Sequence, residues 1–575
     1  MNSRAFDISK LLSFLLLFSL VHSATPVVAQ QPQRERRVSS SSKEAPSPSA
    51  SPTPSPLATP GQGPVAVPSP TPAPSPTPDL EARRAATTRT LAELQSRLTE
   101  ILRKPELESN TIGVKVVSLE SGKVLFEQNA EKLLRPASNM KLYTVAAALD
   151  RLSPDYRFVT SVYAPAQPNE KGVVRGDLKI YGRGDPSIAA AFNNGDYLRG
   201  IDALAERIAA AGVKRVDGDL VGDETYFVGP PYGSGWEWED LTWWFGAEVS
   251  ALSANDNALD LSIKPGAQVG GAAVVTTGPP DPLLTIVNRT ITTASGSKRA
   301  VTVYRGLTAN ELWVGGSIPL DDKGYSGSIA ISHPALLFMY LLRSSLAAHG
   351  VTVSGKTRTI AAPAVPGQAE PWAGGAGLVE IATLQSPPLS AIAAQTLKRS
   401  QNLYTELILR TLGKVVPAPV TTPAMPANEN RTSEAAGLAV VQAFLRDAGI
   451  GAPALVQSDG SGLSWHDLIT AEATVELLTY MHRHRYAAVF RDALPIAGVD
   501  GTLRNRLKGT LAENNLRAKT GTISSVMSLS GYVRDAAGDD LVFSIIVNNY
   551  PEDANPRAHC IDPIATLLAS FAGKP

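Results

Sequence analysis

Three short strings in this 575-residue chain place hydroxyls, amines and an amide at spacings that suit acyl transfer. Ser-x-x-Lys occurs three times, and about two matches are expected by chance, so spacing alone selects nothing. Ser40 to Lys43 lies in a Pro/Ser-rich stretch and Ser295 to Lys298 in a polar loop. Only Ser138 to Lys141 runs into an apolar series at helical spacing, Leu142, Val145, Ala146, Leu149 and Leu152. At the start of such a helix the backbone N–H groups and the macrodipole favour developing negative charge. Lys141, one turn on, can reach the Ser138 hydroxyl. A lysine serves as a base near neutral pH when burial or a nearby cation depresses its pKa, and Lys519 is a candidate for that cation.

Lys519-Thr520-Gly521-Thr522 lies on a predicted strand, where Gly521 lets a substrate backbone lie close. The Thr522 N–H can pair with the Ser138 N–H as an oxyanion hole. Ser400-Gln401-Asn402 offers a second hydroxyl to relay a proton and an amide to hold a substrate carbonyl. The chain contains no Gly-x-Ser-x-Gly elbow, P-loop or His-Glu-x-x-His. Cys560 is the sole cysteine, which excludes an internal disulfide, a thiolate zinc site and an iron–sulfur cluster. In its apolar surroundings it reads as a small buried hydrophobe. No metal or other cofactor is expected. Lys plus Arg (53) equal Asp plus Glu (53), so no basic field exists to hold nucleic acid or an anionic membrane.

Several elements must position these groups. Residues 1–29 read as a signal peptide, with Arg4 and Lys10 before an apolar run of residues 11–21 too short to span a bilayer. Residues 30–79 are a Pro/Ser-rich spacer that cannot bury enough surface to fold. Beyond it, periodicity predicts a helix over 83–102, a hairpin of 113–119 with 124–128, and helices over 334–350 and 390–412. Three successive antiparallel strands over 516–523, 526–533 and 541–549 precede a helix over 556–571. Residues 166–375, rich in Gly, Pro and short β-type segments, read as an insertion, with a nested subdomain at about 262–330. The fold class is α+β: an antiparallel sheet flanked by helices, formed by 80–165 and 376–575, with two smaller β-rich domains inserted.

The motif order Ser-x-x-Lys, Ser-x-Asn, Lys-Thr-Gly and the wide first gap resemble the D-alanyl-D-alanine carboxypeptidase/endopeptidase family of low-molecular-mass, class C penicillin-binding proteins, serine peptidase family S13. The resemblance covers roughly residues 80–575. It extends to Gly182-Arg183-Gly184-Asp185-Pro186, Gly222-Asp223-Glu224-Thr225, Gly235-Trp236-Glu237-Trp238-Glu239-Asp240 and Asp459-Gly460-Ser461-Gly462-Leu463-Ser464. It implies a penicillin-binding transpeptidase-type fold, with Ser138 as acylated nucleophile, Lys141 as base, and Ser400 with Asn402 as second catalytic element. Lys519, Thr520, Gly521 and Thr522 would bind the substrate carboxylate and complete the oxyanion site. It implies further substrate contacts from Ser461, Trp236 and Asp240, the last holding the amino group of a diamino-acid stem peptide.

The implied substrates are peptidoglycan stem peptides ending in D-Ala-D-Ala, trimmed by carboxypeptidase or cut by endopeptidase action, with β-lactams as covalent inhibitors. The implied location is periplasmic or otherwise extracytoplasmic, without a stable transmembrane anchor. Gln401 departs from the usual Asp and is expected to face away from the nucleophile. Trp465 stands where relatives often carry arginine. Two other readings remain open. A class A-like β-lactamase is disfavoured because no Glu-x-x-x-Asn lies between Asn402 and Lys519; the second is a silent wall-binding scaffold. Trp236, Trp238, Trp243 and Trp244 otherwise read as small-domain core, and His482 with His484 as a solvated helix end without a spaced carboxylate partner.

Overall fold

The structure, a computed structural model, describes residues 88–279, 282–307, 309–361, 377–417, 431–451, 454–551 and 554–574. The signal peptide and spacer expected at 1–79 lie outside them. Among the described residues no helix is long and apolar enough to cross a membrane.

Lys519-Thr520-Gly521-Thr522 lies on the edge of a five-stranded antiparallel sheet ordered Arg517–Ile523, Val526–Arg534, Asp540–Asn548, Thr111–Ser118, Val124–Gln128. The N-terminal hairpin therefore completes the C-terminal three strands, with Thr111 opposite Asn548 and Ser118 opposite Leu541. Strand alternation sends Phe543, Ile545 and Val547 to one face, against Leu94, Leu98, Ile564 and Leu568 of the helices Leu91–Leu102 and Asp562–Ala569. Val542 and Ile546 go to the other, against Leu477, Leu478 and Met481 of the helix Ala471–Arg483. The first helix starts at Leu91 rather than 83, because Thr90 Oγ1 accepts from the Glu93 N–H and caps it there.

At the centre of the helical layer runs Met140–Leu152, buried from Met140 through Leu149. Ala146, Ala147 and Ala148 help its neighbours approach from several sides, and Lys141 and Thr144 are the polar groups it buries. The helix expected over 390–412 is two, Leu389–Arg399 and Asn402–Val415, broken where Ser400 takes a left-handed φ of 60°. Gln401 Oε1 then accepts from the Leu403 N–H and caps the second.

A second five-stranded sheet is ordered Thr357–Ile360, Leu220–Asp223, Leu178–Tyr181, Val159–Ala164, Val379–Gln385. Its last two strands, which lie just outside the 166–375 expected as an insertion, pair antiparallel with each other. The helices Arg199–Ala210 and Pro334–Ala348 share its apolar core. Three three-stranded sheets accompany it: Thr352–Val353, Arg215–Asp217, Val173–Arg175; Tyr325–Ala330, Ala258–Lys264, Val274–Gly278; and Thr285–Thr293, Glu311–Pro319, Ala300–Arg305.

Candidate active site

Ser138 sits in a single helical turn, Ala137–Asn139, that leads directly into Met140–Leu152. The turn is clamped from two sides. Ser528 Oγ donates to the Pro136 carbonyl at 2.7 Å, and Gly462 lies so close to the Ala137 carbonyl that it has no room for a Cβ. Ala137 is itself held at φ 48°, a conformation that non-glycine residues adopt only when their surroundings impose it. Ser138 remains 8% exposed.

Lys141 is fully buried, and its Nζ donates to Ser138 Oγ at 3.0 Å, Asn402 Oδ1 at 2.6 Å and the Ser461 carbonyl at 2.7 Å. This arrangement suits either protonation state. An ammonium can give one proton to each acceptor; a neutral amine gives two to the amide and carbonyl and turns its lone pair to the Ser138 hydroxyl. Asn402 cannot reverse its amide without loss, because its Nδ2 donates to the Phe245 carbonyl at 2.8 Å.

On the other side, Lys519 Nζ donates to Ser400 Oγ at 2.8 Å and to the Thr520 carbonyl at 2.8 Å. The left-handed turn at Ser400 that breaks the helix is thus what aims this hydroxyl at the lysine. Lys519 lies on the edge strand Arg517–Ile523. Among the described strands and bridges, a single bridge, Ile496 to Arg517, touches its outer side.

Asp459 organises the third side. Its carboxylate accepts from Trp236 Nε1 (2.8 Å), Ser461 Oγ (2.9 Å) and the backbone N–H groups of Gly462 (2.6 Å), Leu463 (3.1 Å) and Ser464 (3.1 Å). These bonds shape the loop so that the Ser461 carbonyl faces Lys141. Two other acids lie beside it. Burial pushes the Glu406 and Asp467 carboxyls well above the usual range, and the charge on Asp459 adds to the effect. Glu406 Oε1 accepts from the Gly460 N–H at 3.0 Å, and Asp467 Oδ1 from the Ser458 N–H at 2.6 Å.

The structure therefore brings Ser138, Lys141, Ser400, Asn402 and Lys519 into one connected site. The remaining candidates divide. Thr520 Oγ1 donates to Thr502 Oγ1 at 2.7 Å and Thr522 Oγ1 to the Gly521 carbonyl at 2.7 Å, both on the edge strand. Ser461 differs from expectation: its side chain is buried against Asp459, and its carbonyl is the group that enters the site. Trp236 is partly buried beside Ala137, Leu463 and Ile523, while Asp240 lies in the turn Trp238–Thr242 just before Phe245. Trp465 carries the Arg135 guanidinium over its ring at 4.5 Å.

His484 does have a carboxylate partner, Asp150 Oδ1 at 3.0 Å, delivered by the far end of the Met140 helix. Its side chain is buried rather than solvated. Cys560 is buried in the core, its thiol pushed up to about 12 by burial. Sequence reasoning missed the Phe245 carbonyl, Thr502 and the role of Asp459 as hub. The first contributes a backbone atom, which no residue type announces; the last was signalled by an aspartate ahead of two glycines.

Residues 94–571 match the D-Ala-D-Ala carboxypeptidase 3 (S13) family. A D-alanyl-D-alanine carboxypeptidase of Actinomadura sp. (strain R39) is 35% identical over 494 residues, covering 84% of this chain and 86% of the relative. The D-alanyl-D-alanine carboxypeptidase DacB of Haemophilus influenzae is 24% identical over 450 residues, 77% of this chain and 86% of the relative. The crystal structure of penicillin binding protein 4 from Haemophilus influenzae shares the fold with a TM-score of 0.68 at 22% identity, covering 85% of this chain and 100% of that one. A second structure of that protein, complexed with a β-lactam, gives a TM-score of 0.63 at 21% identity, over 82% and 98%. With its motifs assembled on that fold, the chain belongs to the D-Ala-D-Ala carboxypeptidase 3 (S13) family of serine peptidases.

Proposed function

We propose that Ser138 is the nucleophile of a serine-type D-Ala-D-Ala carboxypeptidase. The observation that carries this reading is the sharing of Lys141 Nζ among Ser138 Oγ, Asn402 Oδ1 and the Ser461 carbonyl. Lys141, as neutral amine, takes the Ser138 proton as Oγ attacks the carbonyl of the penultimate D-alanine. The tetrahedral oxyanion rests on the Ser138 and Thr522 N–H groups. Ser400, hydrogen-bonded to Lys519, relays that proton from the Lys141 ammonium to the departing amine, which leaves Ser400 protonated and Lys141 neutral again, and water then hydrolyses the acyl-enzyme. Lys519 and Thr520 receive the terminal carboxylate, and the substrate lies along the outer edge of Arg517–Ile523 as a further strand.

The substrates are peptidoglycan stem peptides, and the same acyl transfer serves carboxypeptidase trimming and endopeptidase cleavage of cross-links. β-Lactams acylate Ser138 and block the water. Trp236 and Asp240 border the stem side of the cleft. Residues 1–29 serve as the signal peptide that exports the chain, so it works outside the cytoplasm. The catalytic domain is formed by segments on both sides of the insertion. D-alanine release from a short D-Ala-D-Ala peptide tests the proposal. Ser138→Ala should reduce the rate at least about 10³-fold, and equal rates from the two proteins would contradict it.

A further inference from the structure

The sheet Thr285–Thr293, Glu311–Pro319, Ala300–Arg305 has one face in the core and one that none of the steps above uses. Leu312, Val314, Ile318, Val301, Thr290 and Thr292 are buried. Register places the outward residues in rows: Tyr304, Trp313 and Val287; then Thr302, Gly315 and Arg289; then Ala300, Ser317 and Ile291. Trp313 is 37% exposed, Tyr304 42% and Ile291 48%. The Arg289 guanidinium lies 4.8 Å from the Trp313 ring centroid. Beside Trp313 along its strand, Gly315 leaves an open floor, since a Cβ there would meet nothing within 4 Å.

The first row is also tied to the catalytic centre. Arg305, next to Tyr304, donates from Nη2 to the Leu241 carbonyl at 2.6 Å and from its backbone to Thr242 Oγ1 at 3.4 Å. Four residues after Leu241, the Phe245 carbonyl receives Asn402.

We propose that this face binds the neutral amino-sugar glycan strand that carries the stem peptides; the identity of that ligand rests on the peptidase reading. Flat aromatic rings suit the C–H faces of pyranose rings. Thr302, Ser317 and Arg289 offer hydroxyl and guanidinium partners for sugar hydroxyls and acetamido carbonyls on the same surface. Charge selects among occupants: Arg289 is balanced by Glu311 at the end of the same face, so the surface is complementary to an uncharged polymer rather than a polyanion. Holding the strand here raises the effective concentration of its attached peptides at Ser138.

The test measures binding of the full chain to a neutral N-acetylglucosamine oligomer, alongside turnover of a short D-Ala-D-Ala peptide. Trp313→Ala should weaken binding about tenfold, and Gly315→Val, which fills the floor with a residue suited to a strand, should do the same. Both should leave melting temperature and short-peptide turnover unchanged. Unaltered binding in the two variants, or no binding by the wild type, overturns the proposal. So does a concentration-dependent dimer that Trp313→Ala dissolves, which assigns the face to a second copy. Because the binding readout needs no turnover, failure of the peptidase reading shows separately, as equal rates for wild type and Ser138→Ala.

Discussion

Asn402 bridges two parts of the chain: Oδ1 accepts from Lys141 Nζ at 2.6 Å, and Nδ2 donates to the Phe245 carbonyl at 2.8 Å. A backbone carbonyl more than 150 positions earlier in the chain thereby decides which end of the amide faces the lysine. Asn402→Ala should lower the rate of acylation by benzylpenicillin about 10²- to 10³-fold. In Asn402→Asp the carboxylate cannot donate to Phe245 and holds Lys141 as ammonium, so acylation should fall at neutral pH and recover partly as pH rises. Stopped-flow acylation rates against pH check both.

Gly521 faces the turn that carries Ser138. A Cβ there would overlap Ser528 Oγ and stand 2.7 Å from the Pro136 carbonyl. Gly521→Ala must push the edge strand and that turn apart. Displacements of this kind cost about 10² in rate when they misplace reacting groups, and overpacking costs about 1–3 kcal/mol. The expected result is slow acylation with a modest loss in melting temperature. A wild-type rate would mean that the two elements need not touch.

Asp459 gathers five donors in the buried loop. Asp459→Ala leaves them without their acceptor and should cost about 4 kcal/mol in denaturant unfolding. Trp236→Phe removes the indole N–H bond, about 1.5–3 kcal/mol for a donor to a charged group, together with the packing of one ring. It should also lower kcat more than it raises KM, because the loop holds the Ser461 carbonyl on Lys141.

Asp185, in the string Gly182-Arg183-Gly184-Asp185-Pro186, is buried, and burial raises its pKa to about 6. Its Oδ1 accepts from the Ser187 N–H at 2.8 Å, and its Oδ2 has no hydrogen-bond partner. A carboxyl whose folded pKa exceeds its unfolded value favours folding in its protonated form. Stability from this group is therefore full below about pH 4, declines between about pH 4 and 6, and stays lowered above that. The loss amounts to about 2–3 kcal/mol. Asp185→Asn should match the wild type at pH 3.5 and exceed it by that amount at pH 8, as measured by urea unfolding at the two pH values.

The elements that sequence made legible were those with a local cause. Polar turns between apolar runs marked the three C-terminal strands, and the apolar series after Lys141 marked the buried helix. Where the cause was distant, local pattern misled. Apolar periodicity continues through Ser400, so the break there, imposed by the backbone turn that points Ser400 at Lys519, was invisible. Val159–Ala164 and Val379–Gln385 pair across more than 200 positions of chain, and nothing in either segment names the other. Asp150 reaches His484 only because one helix spans the whole layer. In the site, side-chain motifs could be read, whereas the Phe245 and Ser461 carbonyls could not.

An intact-mass time course with benzylpenicillin, followed by peptide mapping, tests the claim that Ser138 is the acylated nucleophile. The account expects a stable adduct of the drug's mass on the peptide containing Ser138, absent from Ser138→Ala. An adduct on another residue, or none while the drug stays intact or is rapidly hydrolysed, would contradict it.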